Sequence, residues 1–165
     1  MAAWLDYRNG RVAKAALFVV GCLLVAAASG QARADNMRRE IIVLNTQGGQ
    51  TEIAAEIALS QPEQQLGLMF RTGMGDNEGM LFVYAQPQDL AMWMHNTYLA
   101  LDMVFIRGNG TVARIEANAQ PLSDRVIASG GAVRAVLELK AGTAQRLGLK
   151  AGDRVESPSL HAAVP

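Results

Sequence analysis

Leu101-Asp102-Met103-Val104-Phe105-Ile106-Arg107-Gly108-Asn109-Gly110-Thr111-Val112-Ala113-Arg114-Ile115-Glu116-Ala117 decides the fold. Its first third is apolar on both faces except for Asp102, as in a strand buried on both sides. Gly108-Asn109-Gly110 is a turn sequence, since glycine and asparagine tolerate left-handed backbone. Thr111 to Ala117 alternates enough to pair back as the second arm of a hairpin. A buried strand needs covered neighbours, so this hairpin sits inside a larger sheet.

The neighbours are found upstream and downstream. Ile41-Ile42-Val43-Leu44 is β-branched, Thr46 to Gln50 is a turn, and Ile53, Ala55, Ile57 and Leu59 alternate in the return strand. Met80 to Tyr84 is a second doubly apolar strand, and Leu90, Met92 and Met94 alternate after it. Val133, Ala135, Leu137 and Leu139 form another, and Arg154-Val155-Glu156 a short last one. Ser60-Gln61-Pro62-Glu63 is a capping box that opens a helix, with Leu66, Met69 and Phe70 as its stripe and Gly73 and Gly75 as its stop. Gly142-Thr143 opens a short helical turn through Leu147. The expected fold is α+β and mostly β: a small curved sheet or barrel-like single domain with one or two short helices.

The N-terminal part reads differently. Arg8, Arg11 and Lys14 precede an uncharged run from Ala15 to Ala28, and Ala32-Arg33-Ala34 ends it. Basic start, short apolar run and Ala-x-Ala exit make residues 1–34 a secretory signal, cut after Ala34. The run falls short of the roughly 20 residues that span a bilayer. A retained anchor, and a lipoprotein processed at Cys22 of Val19-Val20-Gly21-Cys22, are the rival readings. The expected order is signal 1–34, flexible lead-in 35–40, β-rich domain 41–157 and disordered tail 158–165. The mature protein is exported, periplasmic or secreted, with no transmembrane segment.

Cys22 is the chain's one cysteine, so the mature part has no disulfide, thiol nucleophile or cysteine-bound metal. Of 15 basic and 15 acidic side chains, the first 34 residues hold four and one, leaving 11 and 14 and a formal charge of −3. With no basic block, nucleic acid is not an expected partner.

Nucleophile-elbow, zinc-helix, phosphate-loop and dinucleotide motifs are all missing, so no catalytic residue and no cofactor are assigned. Chemistry-bearing side chains are densest from Met92 to Asp102. Here the chain resembles the bacterial and archaeal family known as domain of unknown function 192 (DUF192). The resemblance rests on Gly67-Leu68-Met69-Phe70-Arg71, Gly79-Met80-Leu81-Phe82, Trp93-Met94-His95-Asn96-Thr97 with Leu101-Asp102, and Val136-Leu137-Glu138-Leu139 with Ala141-Gly142. Leu147 to Asp153 fits as well. It implies a small β-rich domain, often exported, with no agreed activity. His95 stands where that family usually has lysine, which would make a cationic role there depend on pH.

The candidate pocket gathers Arg71, Trp93, His95, Asn96, Thr97, Asp102 and Glu138 around an aromatic floor. Structural roles compete with it. Trp93 reads as buried in either case, Asn96-Thr97 as a turn, and Asp102 as a latch accepting hydrogen bonds from that turn. Glu138 is expected to pair with Arg71 or to face water. Three functions are consistent with these residues: a non-catalytic module for a small polar ligand or a peptide; a copper(I) site of Met92, Met94 and His95, thioethers and imidazole being suited to that ion; and a hydrolase or lyase built on Asp102 and Glu138. The first is preferred, because no catalytic motif accompanies the polar cluster.

Overall fold

A computed structural model describes residues 37–162. The expected signal, the Ala34 cleavage site and Cys22 lie outside these residues. Among the described residues, seven strands run β1 (Arg39–Thr46), β2 (Gly49–Ala58), β3 (Glu78–Met92), β4 (Leu101–Ile106), β5 (Val112–Ala119), β6 (Ile127–Lys140) and β7 (Arg154–Glu156). The helices are α1 (Gln61–Leu66), α2 (Thr143–Leu147) and α3 (Pro158–His161). Mostly β with short helices is the class that the hydrophobic patterns imply.

One sheet holds all seven strands in the order β5-β4-β6-β3-β2-β1-β7. β1 and β2 form the expected hairpin, with Thr46 opposite Gly49. β4 and β5 form the other. β3 runs parallel to β2, which requires a crossover, and α1 supplies it. The sheet curls until its two edges meet. Thr111 bridges Arg154, and the Val155 N–H donates to the Gly110 carbonyl at 2.8 Å. Gly110 has φ 83°, and a Cβ there would lie 2.8 Å from the Val155 carbonyl oxygen, so the closure needs glycine.

Both faces of the central strands are buried. Ile42, Leu44, Ile53, Ile57, Leu81, Val83, Val104, Ile106, Leu137 and Leu139 fill the inside of the curl. Met80, Phe82, Met103, Phe105 and Val136 are buried on the outer face. That is why β3 and β4 begin as apolar runs rather than as alternating ones.

Four boundaries depart from the sequence reading. The segment expected as a flexible lead-in already pairs from Arg39, opposite Glu56. Leu90 to Met92 continue β3 instead of forming a separate strand, past register shifts between Val83 and Gln88 and between Asp89 and Ala91. α1 ends at Leu66, so Met69 and Phe70 are not on it. Gly67 takes φ 49° and ψ −136°, and a Cβ there would meet the Phe82 ring at 3.1 Å. The chain must turn sharply against that ring, and only glycine fits. Finally, Pro158–His161 of the tail expected to be disordered form α3. Ser157 caps it, Leu160 is buried, and the hydroxyls of Ser157 and Ser159 each donate to the Glu40 carboxylate at 2.7 Å.

Candidate functional site

The crossover β2–α1–β3 lays α1 and the turn after it over the outer face of the sheet. They do not cover it fully. A cavity of about 490 Å³ remains between Gln61, Gln64 and Gln65 of α1, the turn Leu66 to Met69, the β3 side chains Phe82, Tyr84, Ala91 and Met92, then Trp93, Thr97 and Glu138. Its size lies in the range of small-molecule pockets.

Strand register explains its floor. Arg39, Glu56, Met80, Glu138, Met103 and Glu116 stand opposite one another, forming one row across β1, β2, β3, β6, β4 and β5. Opposed residues share a face, so three carboxyls line one row of the outer face. The two outer ones are neutralised by arginine. Glu56 takes two bonds from Arg71, at 2.8 and 2.5 Å, and a longer one from Arg39. Glu116 takes bonds from Arg114 and Arg125. Glu138, between them, is 4% exposed, and no donor among the described residues reaches its carboxyl. Burial alone pushes its pKa up to about 8. It is therefore mostly protonated at neutral pH, facing the cavity with no partner among the described residues. The Tyr84 phenol is also pushed up, by burial and then by the charge of Glu138.

The remaining polar groups of the lining supply both acceptors and donors, the donors including the Tyr84 phenol and the Trp93 indole N–H. The Gln64 amide nitrogen donates to the Val83 carbonyl at 2.9 Å, which leaves its oxygen free. The Thr97 hydroxyl donates to the His95 carbonyl, which leaves its lone pairs. Among the described residues, no lysine, arginine or histidine lines the cavity.

Trp93 is a correction. Expected to be buried, it is 52% exposed and forms the rim, because β3 ends one residue before it and the chain turns away from the sheet. Trp93→Ala should then change stability by no more than about 1 kcal/mol, not the roughly 3–5 kcal/mol of a core tryptophan. The ring stacks on His95 with centroids 4.8 Å apart, and His95 Nδ1 lies 2.7 Å from an Asp124 carboxylate oxygen. Phe70, Tyr98 and Leu122 are exposed as well, on loops tied to the Asn96-Thr97 turn. The Phe70 N–H donates to the Asn96 carbonyl and the Leu122 N–H to that of Thr97. Phe70, Asn96 and Leu122 all have left-handed φ, at 64°, 52° and 58°. For phenylalanine and leucine that is strained backbone.

Of the seven candidate residues, the structure brings Trp93, Thr97 and Glu138 together at the cavity. His95 backs Trp93, and Asn96 forms the turn. Arg71 serves Glu56 rather than Glu138. Asp102 is a latch, but not to the turn expected: it is fully buried and accepts the N–H groups of Asn118 and Ala144, each at 2.9 Å. It stands opposite Leu139 while Met103 stands opposite Glu138. Alternation along β4 thus sends Asp102 to the other face of the sheet, and it cannot share a reaction centre with Glu138. The methionines also part company: Met94 is fully buried, whereas Met92 lines the cavity. The sequence reading missed Tyr84 and the α1 glutamines. Alternation from Met80 through Phe82 would have put Tyr84 on the same face, but the glutamines needed the crossover.

The family model described as "Uncharacterized ACR", DUF192, matches residues 42–157. A candidate transcription regulator from Sinorhizobium meliloti 1021 is 42% identical, with 73% of this chain and 94% of that chain covered and a TM-score of 0.71. A protein of unknown function from Novosphingobium aromaticivorans DSM 12444 is 38% identical, with 73% and 86% covered and a TM-score of 0.72. No curated protein matches the chain.

Proposed function

The chain belongs to the DUF192 family, and we propose that it is an exported envelope domain that binds a small polar ligand, or the side chain of a peptide, without transforming it. The single observation that carries this reading is Glu138: a buried carboxyl, without a donor among the described residues, on the floor of a 490 Å³ cavity. Its oxygens open onto the cavity, and holding a carboxyl there still costs desolvation free energy. A fold built for stability alone would fill the position with an apolar residue, as it does at Met80 and Met103 on either side.

The regulator description of the Sinorhizobium relative is not carried over, because residues 35–165 hold a formal charge of −3 and no basic block. Export rests on residues 1–34. Among the described residues no helix is long and apolar enough to cross a membrane.

Two measurements test this. Thermal shift of the purified protein against sugars, amino acids, short peptides, organic ions and copper(I) should find at least one ligand that stabilises it, with the effect reduced in Glu138→Gln. If nothing in the panel stabilises the protein, the binding reading fails. Stabilisation by copper(I) alone, lost in Met92→Leu, would favour the metal reading instead. Intact mass of the protein from the cell envelope should correspond to a chain beginning at Asp35. A lipidated Cys22 or an uncut N-terminus would overturn the processing step.

A further inference from the structure

We infer that the cavity takes an organic cation: a primary ammonium group seated against Glu138, with its carbon substituents on the rings of Trp93, Phe82 and Tyr84. This rests on the ligand-binding reading above and narrows it to one charge class.

Two features point the same way. First, among the described residues the lining has one ionisable carboxyl and no basic side chain, so an anion would enter against Glu138 with nothing to neutralise it. Second, the Glu138 carboxyl shares the cavity with the rings of Trp93, Phe82 and Tyr84 and the thioethers of Met69 and Met92. Ring faces attract cations through their quadrupoles, most strongly where water is displaced. His95 covers one side of the Trp93 ring by stacking, so the ligand takes the other.

The charged surroundings of Glu138 permit this. On β2 and β5, two strands away on either side, Glu56 and Glu116 are held by their arginines. On β3 the nearest titratable group is the Tyr84 phenol, raised by burial and by the charge of Glu138, so it stays protonated through neutral pH. β4 contributes Met103. On α1 Glu63 accepts the N–H groups of Ser60 and Leu59, which leaves glutamines toward the cavity. His95 lies behind Trp93, engaged with Asp124. Among the described residues, no group beside Glu138 supplies the counter-charge that a ligand ammonium would bring.

The two ligand classes have opposite pH signatures. A cation prefers ionised Glu138, so binding expels the proton and affinity rises with pH. With the carboxyl pKa at about 8, the rise is up to about tenfold per unit below that pH and levels off above it. A neutral acceptor prefers protonated Glu138, and its affinity is level up to about pH 8 and falls beyond. Three probes of one size separate the cases: tert-butylammonium, tert-butanol and pivalate, titrated into the purified protein between about pH 6 and 9, a window that brackets the carboxyl's titration. The indole N–H resonance of Trp93 is the readout. The expected result is saturable binding of tert-butylammonium, at least about tenfold tighter than either other probe at pH 8, with the rising pH profile. Glu138→Gln should remove both the preference and the profile. Trp93→Ala, on the exposed rim and so harmless to the fold, removes the reporter indole, so its binding is followed by titration calorimetry; it should weaken the ammonium severalfold. Equal or tighter binding of tert-butanol or pivalate, or a falling profile, would overturn the cation while leaving the binding reading intact. If a ligand from the wider panel binds but none of the three probes does, the cation is again overturned. Failure of every compound would remove both.

Discussion

At the scale of single residues, two carboxyls one position out of step across adjacent strands have opposite characters. Asp102 is buried and fully occupied, joining the β5 end at Asn118 to the start of α2 at Ala144. Asp102→Leu leaves the buried Ala144 N–H and the Asn118 N–H without acceptors and should lower stability by about 3 kcal/mol, whereas Asp102→Asn keeps one acceptor and should lose about 1–2 kcal/mol. Denaturant unfolding of the two variants checks the order, and equal losses would contradict the latch. Glu138 has no such duty, so Glu138→Gln should fold normally. Its sequence neighbours Leu137 and Leu139 face the inside of the curl, and nothing in Val136-Leu137-Glu138-Leu139 distinguishes a glutamate facing bulk water from one lining a cavity.

At the scale of elements, the crossover helix is the part that makes the site. Its capping box was legible in Ser60 and Glu63, and both arms are present: the Ser60 side chain accepts the Glu63 N–H, while the Glu63 carboxylate accepts that of Ser60. Its end was not legible, because the apolar spacing of Leu66, Met69 and Phe70 continues a helical stripe past the turn that stops it. What stops it is the Phe82 ring from β3. Gly67→Ala would strain a backbone that L-residues avoid and push a methyl against that ring, with an expected loss of about 2 kcal/mol. Gly73→Ala has open space and no left-handed backbone, so it should stay within about 0.5 kcal/mol of wild type. Thermal unfolding of the pair tests whether Gly67 is a geometric requirement. Similar midpoints would show that the turn gives way.

At the scale of the whole molecule, the buried carboxyl sets the dependence of stability on pH. The folded pKa of Glu138 is raised, to about 8 from an ordinary 4.5, so between those values the folded chain holds a proton that the unfolded chain has lost. Stability therefore falls as pH rises through that window, by up to about 1.4 kcal/mol per unit. Other carboxyls act in the opposite direction at low pH. Burial pushes Glu40 up, but bonds from Ser157 and Ser159 with the charge of Arg38 leave it below the ordinary range. Glu116 is lowered by Arg125 and Arg114 against its desolvation. Their stabilisation is lost as pH drops through their lowered pKa values. The midpoint of thermal unfolding should thus peak near about pH 5 and decline toward pH 8, and Glu138→Gln should flatten the decline, gaining on the order of 3 kcal/mol at pH 8. A wild-type profile level between those two values would show that Glu138 is not desolvated. By itself the sequence determined the class of fold, the two hairpins, the doubly buried strands and the family, since periodicity, turn residues and motifs act over a few neighbouring positions. Only the tertiary structure decided which carboxyl stands alone. Glu56, Glu138 and Glu116 come from strands far apart in the chain, and register placed them in one row, gave arginines to the outer two and left the third beneath a helix that does not fill its space.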